Sequence, residues 1–482
     1  MITLLLVHAT HAAVIDECHL VPPAPPGYDP TVCHPLNETN TLPAKCLGPT
    51  WSLDPPCPRC WLNTAADYTP GAPTELSPGQ RAAMSSLLSR YLANMEATHP
   101  PSHRNGGTVF SGLGGRALLL LKLHEVTGNA SYLSTAREYT DAMLTHLPAQ
   151  KLIDRVRGAV GFQWSHVGML CVAAVCAERA GDPAAAEAHA QQVAEVVQAA
   201  SRGAAGRYDD FDSGRAGLIY AVRFLEANLA PRAAPLVPRT VVVRLATAIV
   251  DRGAATGAAH GHDWLQWHGP NDAGLWLGQS HGSAGILQQL LEVPELWANA
   301  TATRWLTRTL DATCAAQQPS GNFPTEYYNR SQDVLVQWDH GAPGVSAMLL
   351  RAWRRLGTAR YRQAALRALD VTWRRGLLAK GLMTCHGVGG NTWMMLYAAQ
   401  QLASANDVDR AAQLRHRAIQ FQNLVLAHPL LSGLDQMRRP QPEPEAAWSF
   451  WTGSIESAVL LWTELLYRGV ANASLTGWQP RL

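Results

Sequence analysis

Two short segments combine metal-binding side chains with glycine turns. Asp339 and His340 stand directly before a Gly-x-x-Gly turn, and so do Cys385 and His386; an apolar stretch follows each turn. Glycine lets the backbone tighten without a Cβ clash, and a helix start leaves N–H groups without intrahelical partners. Asp339, Cys385 and His386 would supply one oxygen, one sulfur and one nitrogen ligand. Three protein ligands with an open fourth position are typical of catalytic zinc, which deprotonates a bound thiol.

Each of these residues also has a structural interpretation. An aspartate before a helix is a favoured N-cap, and Cys385 could be a buried thiol. The metal hypothesis depends on register, because Asp339 and Cys385 hold equivalent places in consecutive turns. If adjacent repeats bring equivalent positions together, the three side chains meet at one cation.

The glycine turns form a series along the chain. Their first residues are Gly112, Gly214, Gly282, Gly341 and Gly387, with degraded copies at Ser165 and Gly453. The mean spacing of roughly 57 residues indicates a repeat architecture. For most copies, the turn could simply let a helix start close to its neighbour.

Amphipathic segments alternate with the apolar ones. They are predicted at residues 81–95, 132–147, 183–202, 237–252, 295–317, 359–375 and 408–426. An apolar helix paired with an amphipathic one indicates that the apolar helix lies on the inside and the amphipathic helix packs outside it. Seven such pairs can close into a ring and so avoid exposed end repeats. We therefore predict an all-α fold, with the glycine turns on one face of the ring.

The N-terminal region has a different composition. Residues 1–13 contain a short apolar run ending in Ala12 and Ala13, as in a signal peptide, although no Lys or Arg precedes it. Residues 14–74 are rich in Pro and Cys and form a predicted irregular extension, and residues 75–482 form the helical domain. Five of the nine cysteines lie in the first 60 residues, as expected of a disulfide-stapled segment. The pair Cys57 and Cys60 could instead be a redox pair or half of a zinc knuckle.

Glycosylation sequons, like the clustered cysteines, indicate the secretory pathway. They occur at Asn37, Asn129, Asn299, Asn329 and Asn472. We predict a secreted protein or one of the secretory-pathway lumen, with a cytoplasmic protein as the alternative.

The overall composition excludes some classes of partner. Hydrophobic residues make up 47% of the chain and charged residues 16%, with a formal net charge of +2. This balance gives no reason to expect binding to nucleic acid or to an anionic membrane. No apolar run reaches the roughly 18 residues that a transmembrane helix needs.

The turns resemble those of the LanC-like (lanthionine synthetase C-like) family, eukaryotic branch, from about residue 77 to the C-terminus. Residues 108–115, 210–217 and 276–285 are similar to the first, third and fourth family turns. The segments around Asp339 and Cys385 resemble the family signatures Trp-Cys-His-Gly-Ala-Pro-Gly and Cys-His-Gly-x-x-Gly-Asn.

The resemblance implies a fold and an activity. The fold is a toroid of seven inner and seven outer helices, (α/α)7, with one zinc ion at its open face. Bacterial members add a peptide cysteine to a dehydroamino acid, and eukaryotic members bind glutathione and are associated with adding it to such residues in proteins. The zinc ligands would be Asp339, Cys385 and His386. His281 matches the acid/base histidine, Asp210 (with Asp209 beside it) the acidic residue of the third turn, and Lys380 a lysine near the thiol site.

Three positions depart from the family pattern. Asp339 replaces a cysteine, Ser165 with His166 replaces a usual Gly-Asp pair, and Thr452 replaces a usual glutamate. A carboxylate in place of a thiolate removes a soft ligand, so we expect a more Lewis-acidic and less tightly held zinc.

Three classes of function follow from these features. The first is an enzyme that adds the thiol of glutathione or of a cysteine-containing peptide to a dehydroamino acid. The second is a binding or scaffold protein that keeps the ring and has lost the chemistry. The third is a glycoside hydrolase on a similar ring, which the small number of acidic residues at the turns disfavours.

Overall fold

The computed structural model describes residues 33–36, 60–98, 108–110, 112–145, 158–270, 274–328, 333–428, 431, 450–451 and 453–482. These residues contain fifteen helices and no strand, only isolated bridges. The helices are α1 (Pro78–Thr98), α2 (Leu113–Thr127), α3 (Ala130–Leu144), α4 (His166–Arg179), α5 (Pro183–Ser201), α6 (Arg215–Asn228), α7 (Arg239–Ala259), α8 (Ser283–Leu290), α9 (Pro294–Ala298), α10 (Ala300–Ala315), α11 (Ala342–Leu356), α12 (Ala359–Arg375), α13 (Val388–Ala403), α14 (Val408–Ala427) and α15 (Ser454–Tyr467). The prediction of an all-α fold is confirmed over this part of the chain.

Seven helices form an inner ring. They are α2, α4, α6, α8, α11, α13 and α15, and each begins at the second residue of one of the seven predicted turns. Each contacts the next along the chain, and α15 contacts α2. The ring of seven inner helices is therefore closed.

The amphipathic helices pack around this ring. They are α1, α3, α5, α7, α10, α12 and α14, and they complete the predicted (α/α)7 toroid. Helix α1, the first of the described helices, packs on α15, the last one. The two ends of the helical domain thereby support each other.

Two outer helices differ most from the predicted boundaries. The segment predicted at 295–317 is divided into α9 and α10 at Asn299, whose side chain accepts a 3.0 Å hydrogen bond from the Ala302 N–H. The segment predicted at 237–252 begins after Pro238 and continues to Ala259. A side-chain cap and a proline, which periodicity does not detect, account for the division and for the later start.

The second glycine of the turn lies against the backbone of the preceding loop. At Gly344, a Cβ atom would stand 2.1 Å from the carbonyl oxygen of Trp338, six residues earlier. The same six-residue contact recurs, at 1.8–2.3 Å, at Gly115, Gly168, Gly217, Gly285 and Gly390. Any side chain at these positions would push the loop away from the helix start.

Backbone hydrogen bonds join the seven loops into a closed collar at this face. The first link runs from the Phe110 N–H to Gln163 O, at 2.9 Å, and the last from the Trp451 N–H to Phe110 O, at 3.3 Å. The links between them are Trp164 to Asp212, Phe211 to Ser280, Gln279 to Asp339, Asp339 to Cys385 and Cys385 to Trp451. The collar fixes the loop residues just before each turn in one plane of the ring.

The end of the extension is attached to the ring beside this collar. Cys33 and Cys60 form a disulfide, and the Trp61 N–H donates to Leu377 O at 2.7 Å. The bridge of Cys60 with Leu378 lies two residues before Lys380. Because Cys60 is bonded to Cys33, the alternative redox pair with Cys57 does not form. Residues 1–13 and Cys18, Cys46 and Cys57 lie outside the described residues.

No helix in the described ranges is both long and apolar enough to cross a bilayer.

Candidate metal centre and acid–base cluster

The functional side chains share one register relative to the turns. Asp339 and Cys385 each lie two residues before the first glycine of their turn, and His281, His340 and His386 each lie one residue before it. These positions belong to the collar, so the closed ring holds side chains from consecutive repeats together. All five residues are buried, and His281 and His386 keep only 7% and 6% of their surface exposed.

The structure brings Asp339, Cys385 and His386 together. Their ligand atoms all lie within 4.8 Å of one another. His386 Nε2 is 3.4 Å from Cys385 Sγ and 3.1 Å from Asp339 Oδ2, so one nitrogen faces both other donors. Ligands at the usual zinc distances, about 2.0–2.3 Å, stand about 3.3–3.8 Å apart in a tetrahedron. The two separations from His386 Nε2 are close to that spacing.

Asp339 is ionised in this cluster. Burial works to raise the pKa of its carboxyl, but the charge of His340 and the hydrogen bond with His386 together bring that pKa well below its usual range. His340 Nε2 lies 3.3 Å from Asp339 Oδ2, and burial lowers the pKa of this imidazole to about 4. Asp339 Oδ1 is buried and has no hydrogen-bond partner among the described residues. A buried carboxylate oxygen without a partner suits a site that receives a cation.

A second cluster surrounds His281. Its Nδ1 is 2.9 Å from Asp210 Oδ2, and Asp210 is held in turn by the N–H of Ser213 at 2.9 Å and by its hydroxyl at 2.9–3.0 Å. Burial opposes a charge on His281, but the hydrogen bond with Asp210 and the charge of Asp212 raise its pKa to about 9. The imidazole is therefore mostly protonated at neutral pH.

The two clusters are electrostatically coupled. The charge of Asp339 contributes to the raised pKa of His281, and the charge of His281 contributes to the lowered pKa of Asp339. The indole of Trp276 lies between them, with ring centroids 5.8 Å from His281 and 6.0 Å from His340. The donor atoms of Asp339, Cys385 and His386 therefore lie close enough to the imidazole of His281 for the two clusters to influence each other's titration.

The structure separates Asp210 from its neighbour Asp209. Asp209 Oδ1 is 2.6 Å from Arg215 Nε, and its other oxygen is 3.4 Å from Arg252 Nη1. Asp210 faces His281 instead. Asp209 thus belongs to an ion pair that anchors the start of α6.

Lys380 lies at the edge of the site. It is half-buried in the loop that leads to Cys385, and its charge lowers the pKa of His340. Trp338, by contrast, is fully buried and packs against Trp451 with ring centroids 4.6 Å apart. Trp338 is therefore part of the wall of the site.

Sequence reasoning missed Asp212. Its Oδ2 is 3.7 Å from His281 Nε2 and accepts a hydrogen bond from the Ser280 hydroxyl. Asp212 stands two residues before Gly214, in the register of Asp339 and Cys385. This shared register was the signal that could have identified it.

A comparison with known proteins concerns the same family that the turn motifs resemble. The family model described as "Lanthionine synthetase C-like protein" matches residues 104–426, about two thirds of the chain. The chain belongs to the LanC-like family.

Individual relatives show how far this LanC-like protein has diverged. It is 27% identical over 323 residues to "Glutathione S-transferase LANCL1" of Danio rerio, across 65% of this chain and 75% of the relative. It is 31% identical over 300 residues to "LanC-like protein GCL1" of Arabidopsis thaliana, across 60% of this chain. That second match spans 65% of the plant relative, just under two thirds of its length.

A solved structure shares the fold. "Nisin cyclase" superposes with a TM-score of 0.56 at 13% identity, covering 82% of this chain and 96% of that one. At this identity, the likeness concerns the fold alone.

One of the three departures from the family pattern has a local explanation in this LanC-like protein. Ser165 caps α4, because its hydroxyl accepts from the Val167 N–H at 3.1 Å and donates to Gly161 O at 2.7 Å. Asp339 keeps the place of the family cysteine and still meets Cys385 and His386. Thr452 lies outside the described residues.

Proposed function

We propose that this protein uses a zinc ion to activate a thiol for addition to a dehydroamino acid, forming a thioether. The observation that carries the proposal is the convergence of Asp339, Cys385 and His386, whose ligand atoms lie within 4.8 Å of one another. His281, whose pKa is raised to about 9 by its contacts with Asp210 and Asp212, belongs to the neighbouring cluster. Family membership and the name of the Danio rerio relative support this reaction class.

The residues present fit a zinc ion. They offer one oxygen, one sulfur and one nitrogen donor in a buried cluster, and Asp339 Oδ1 lacks a hydrogen-bond partner within the described residues. Asp339, Cys385 and His386 would hold the ion and leave its fourth position open. When bound, zinc would lower the pKa of a thiol ligand, so that the thiol reacts as a thiolate at neutral pH.

The protein's own residues would manage the charge that develops on the acceptor. As sulfur adds to the β-carbon, negative charge moves to the acceptor's carbonyl oxygen. Lys380, at the edge of the site, would stabilise this charge, and His281 would donate a proton to the α-carbon. Asp210, bonded to Nδ1, would orient the imidazole so that Nε2 faces the acceptor.

The second candidate is a binding protein without this chemistry. Asp339 favours the binding protein, because zinc binds a carboxylate less strongly than the thiolate of the family cysteine. In that case, the ring would bind a thiol or a peptide, and purified protein would retain its fold without zinc.

The identity of the substrate thiol depends on the cellular compartment of the protein. We propose that the protein resides in the secretory pathway. Supporting features are the Cys33–Cys60 disulfide and the exposed sequon residues Asn129, Asn299 and Asn472. Glutathione is less abundant there than in the cytosol, so a cysteine of a peptide or protein would be the substrate. A loss of mass on treatment with peptide N-glycosidase supports this location, and an unmodified chain from secreting cells contradicts it.

The test of the proposed function is direct detection of a thioether. Zinc-loaded protein is incubated with a dehydroalanine peptide and either glutathione or a cysteine peptide, and the adduct is measured by mass spectrometry. We expect adduct formation that Cys385→Ala abolishes. The matched control is Cys314→Ala, a free half-buried cysteine outside the site, which should keep activity. Equal adduct formation by wild type and Cys385→Ala would remove the enzymatic proposal and leave the binding protein.

A further inference from the structure

Asp212 occupies a place in the site that its structural contacts do not explain. It is fully buried, and its Oδ2 accepts from the Ser280 hydroxyl. Its Oδ1 has no hydrogen-bond partner in the part of the chain that the structure describes. A buried carboxylate that is only half satisfied costs stability, so a purely structural role would be better served by an amide or an apolar side chain.

The two ring nitrogens of His281 have different neighbours. Nδ1 is committed to Asp210 at 2.9 Å, and Nε2 has Asp212 Oδ2 at 3.7 Å. This second separation is too long for a direct hydrogen bond, yet short enough for strong electrostatic coupling. Nε2 can therefore approach the acceptor while a carboxyl group stands beside it.

We infer that Asp212 is a proton relay that restores the proton on His281 Nε2 after each addition. The inference rests on the proposed function and extends it by one residue. Asp212 acts through His281, so it is a positioning and relay residue, not a group that contacts the acceptor.

The protons of the reaction balance through His281 and Asp212. The thiol loses its proton as sulfur bonds to the β-carbon, and the electron pair of the double bond moves toward the α-carbon. His281 Nε2–H gives its proton to the α-carbon, and the Asp212 carboxyl protonates Nε2 once the 3.7 Å separation of the free protein has closed to hydrogen-bond distance. The proton released by the thiol returns to Asp212, so each turnover leaves both residues unchanged.

The charges that face Asp212 suit this role. Burial raises the pKa of its carboxyl to about 7, the charges of Asp210 and Asp339 act in the same direction, and the charge of His281 opposes them. A carboxyl with such a pKa exchanges protons readily at neutral pH.

The first experiment measures the pKa of His281 by NMR on histidine-labelled, metal-free protein, so it needs no activity. We compare wild type, Asp212→Asn and Asp251→Asn, a control at an exposed position. Asp212→Asn should lower the pKa of His281 by about one unit, and Asp251→Asn should leave it unchanged. An unchanged pKa in Asp212→Asn overturns the inference, whether or not the protein forms thioethers.

The second experiment measures kcat/KM against pH in zinc-loaded protein. Asp212→Asn should lose roughly 100-fold or more near pH 7, the usual contribution of a proton-transfer group. Ser280→Ala, which keeps the carboxyl but removes the hydrogen bond that lowers its pKa, should shift the alkaline limb to higher pH, because Asp212 must be protonated to act. A wild-type rate and profile in both variants overturns the relay. If Asp212→Asn does not fold, Ser280→Ala decides the outcome in both experiments, since it should change the His281 titration as well as the rate profile.

The two experiments separate failure of the relay from failure of the proposed function. Wild-type protein without thioether formation, combined with a lowered His281 pKa in Asp212→Asn, refutes the reaction and supports the coupled pair. Thioether formation with an unchanged His281 pKa supports the reaction and refutes the relay.

Discussion

At position 339, a carboxylate stands where the family motif carries a thiolate. Asp339 offers a harder oxygen ligand, and it meets His386 at 3.1 Å and His340 at 3.3 Å through the same oxygen. Zinc accepts carboxylate ligands, but thiolates bind it more strongly. The substitution would therefore weaken the binding of a zinc ion, although Asp339 still lies within 3.1 Å of His386.

Asp339→Cys should tighten zinc binding. The variant restores the soft ligand and the two-sulfur donor set of the family signature, so we expect at least a tenfold lower Kd for zinc, on the order of 1.4 kcal/mol or more. Competition with a chromophoric chelator at fixed pH measures the change. Asp263→Cys, at an exposed loop position, is the control for an added thiol. A Kd equal to that of wild type would show that residue 339 is not a ligand.

His281 should make stability depend on pH. Its folded-state pKa, about 9, lies above the ordinary value of 6.5. Its contribution to stability is therefore complete below pH 6.5 and is lost as pH rises through 9. For metal-free protein, the difference in free energy of unfolding between wild type and His281→Gln should fall by about 3 kcal/mol between pH 6 and 9.5.

Urea denaturation at several pH values measures this difference. His260→Gln, at an exposed position, should show no such trend. A difference between wild type and His281→Gln that stays constant across the range would mean that His281 is not held protonated by its carboxylates.

The sequence alone was sufficient to predict site residues that occupy equivalent positions in consecutive turns. It was not sufficient to predict which residues contact them. Asp339, Cys385 and His386 could be predicted to meet because consecutive turns place them equivalently. The contact of Asp210 with His281 joins two repeats, and only the folded collar brings them to 2.9 Å. Asp209 and Asp210 cannot be told apart by spacing, since the direction of each side chain depends on Arg215.

At the scale of elements, the glycine turn is the unit that builds the site. Its second glycine lets the helix start touch the loop that carries the functional side chains. At Gly344, an added Cβ would meet Trp338 O at 2.1 Å and Gln279 Cβ at 2.7 Å. Both neighbours belong to the collar, so neither can move without displacing Asp339.

Gly344→Ala should therefore damage both stability and the metal site. We expect a loss of about 3 kcal/mol, at the upper end for overpacking, together with weaker zinc binding. Thermal denaturation and zinc titration measure the two effects. Gly79→Ala is the control, because a Cβ there has no neighbour within 4 Å. Wild-type stability in Gly344→Ala would show that the turn tolerates a side chain.

The periodicity of the chain predicted the elements well, but their boundaries less well. Inner helices begin directly after the first residue of a glycine turn, which the sequence displays directly. The outer helices begin and end at caps such as Asn299, whose effect depends on a single hydrogen bond. Hydrophobic spacing carries no information about that bond.

At the scale of the whole molecule, the ring must join its last repeat to its first. Arg116, directly after the first turn, makes hydrogen bonds of 2.7 Å and 3.0 Å to Glu456 Oε1. Glu456 stands where the other six turns carry their second glycine, so this departure from the motif supplies a buried ion pair at the closure. A second buried pair, Lys122 with Glu464 at 2.7 Å, joins the same two helices, α2 and α15.

Glu456→Ala should weaken the closure. It leaves the Arg116 guanidinium buried without its partner, which typically costs about 3–5 kcal/mol. The exposed pair of Arg239 with Glu295 gives the control, because Glu295→Ala should cost about 1 kcal/mol or less. Chemical denaturation of the two variants measures both values. Equal losses would mean that the buried pair contributes no more than a surface pair.

The seven-fold ring was predictable because the number of turns equals the number of amphipathic segments. How it closes was not predictable, since α1 pairs with α15 across more than 350 residues of sequence. The ion pairs at the closure likewise join residues that no local pattern relates.

The central claim is a zinc ion held by Asp339, Cys385 and His386, and metal content tests it most directly. Protein purified without chelator and reloaded with zinc is measured by inductively coupled plasma mass spectrometry, beside Cys385→Ala and the control Cys314→Ala. We expect about one zinc per chain in wild type and in Cys314→Ala, and far less in Cys385→Ala. Folded wild-type protein that retains no zinc, or a Cys385→Ala variant that retains as much as wild type, would contradict the account.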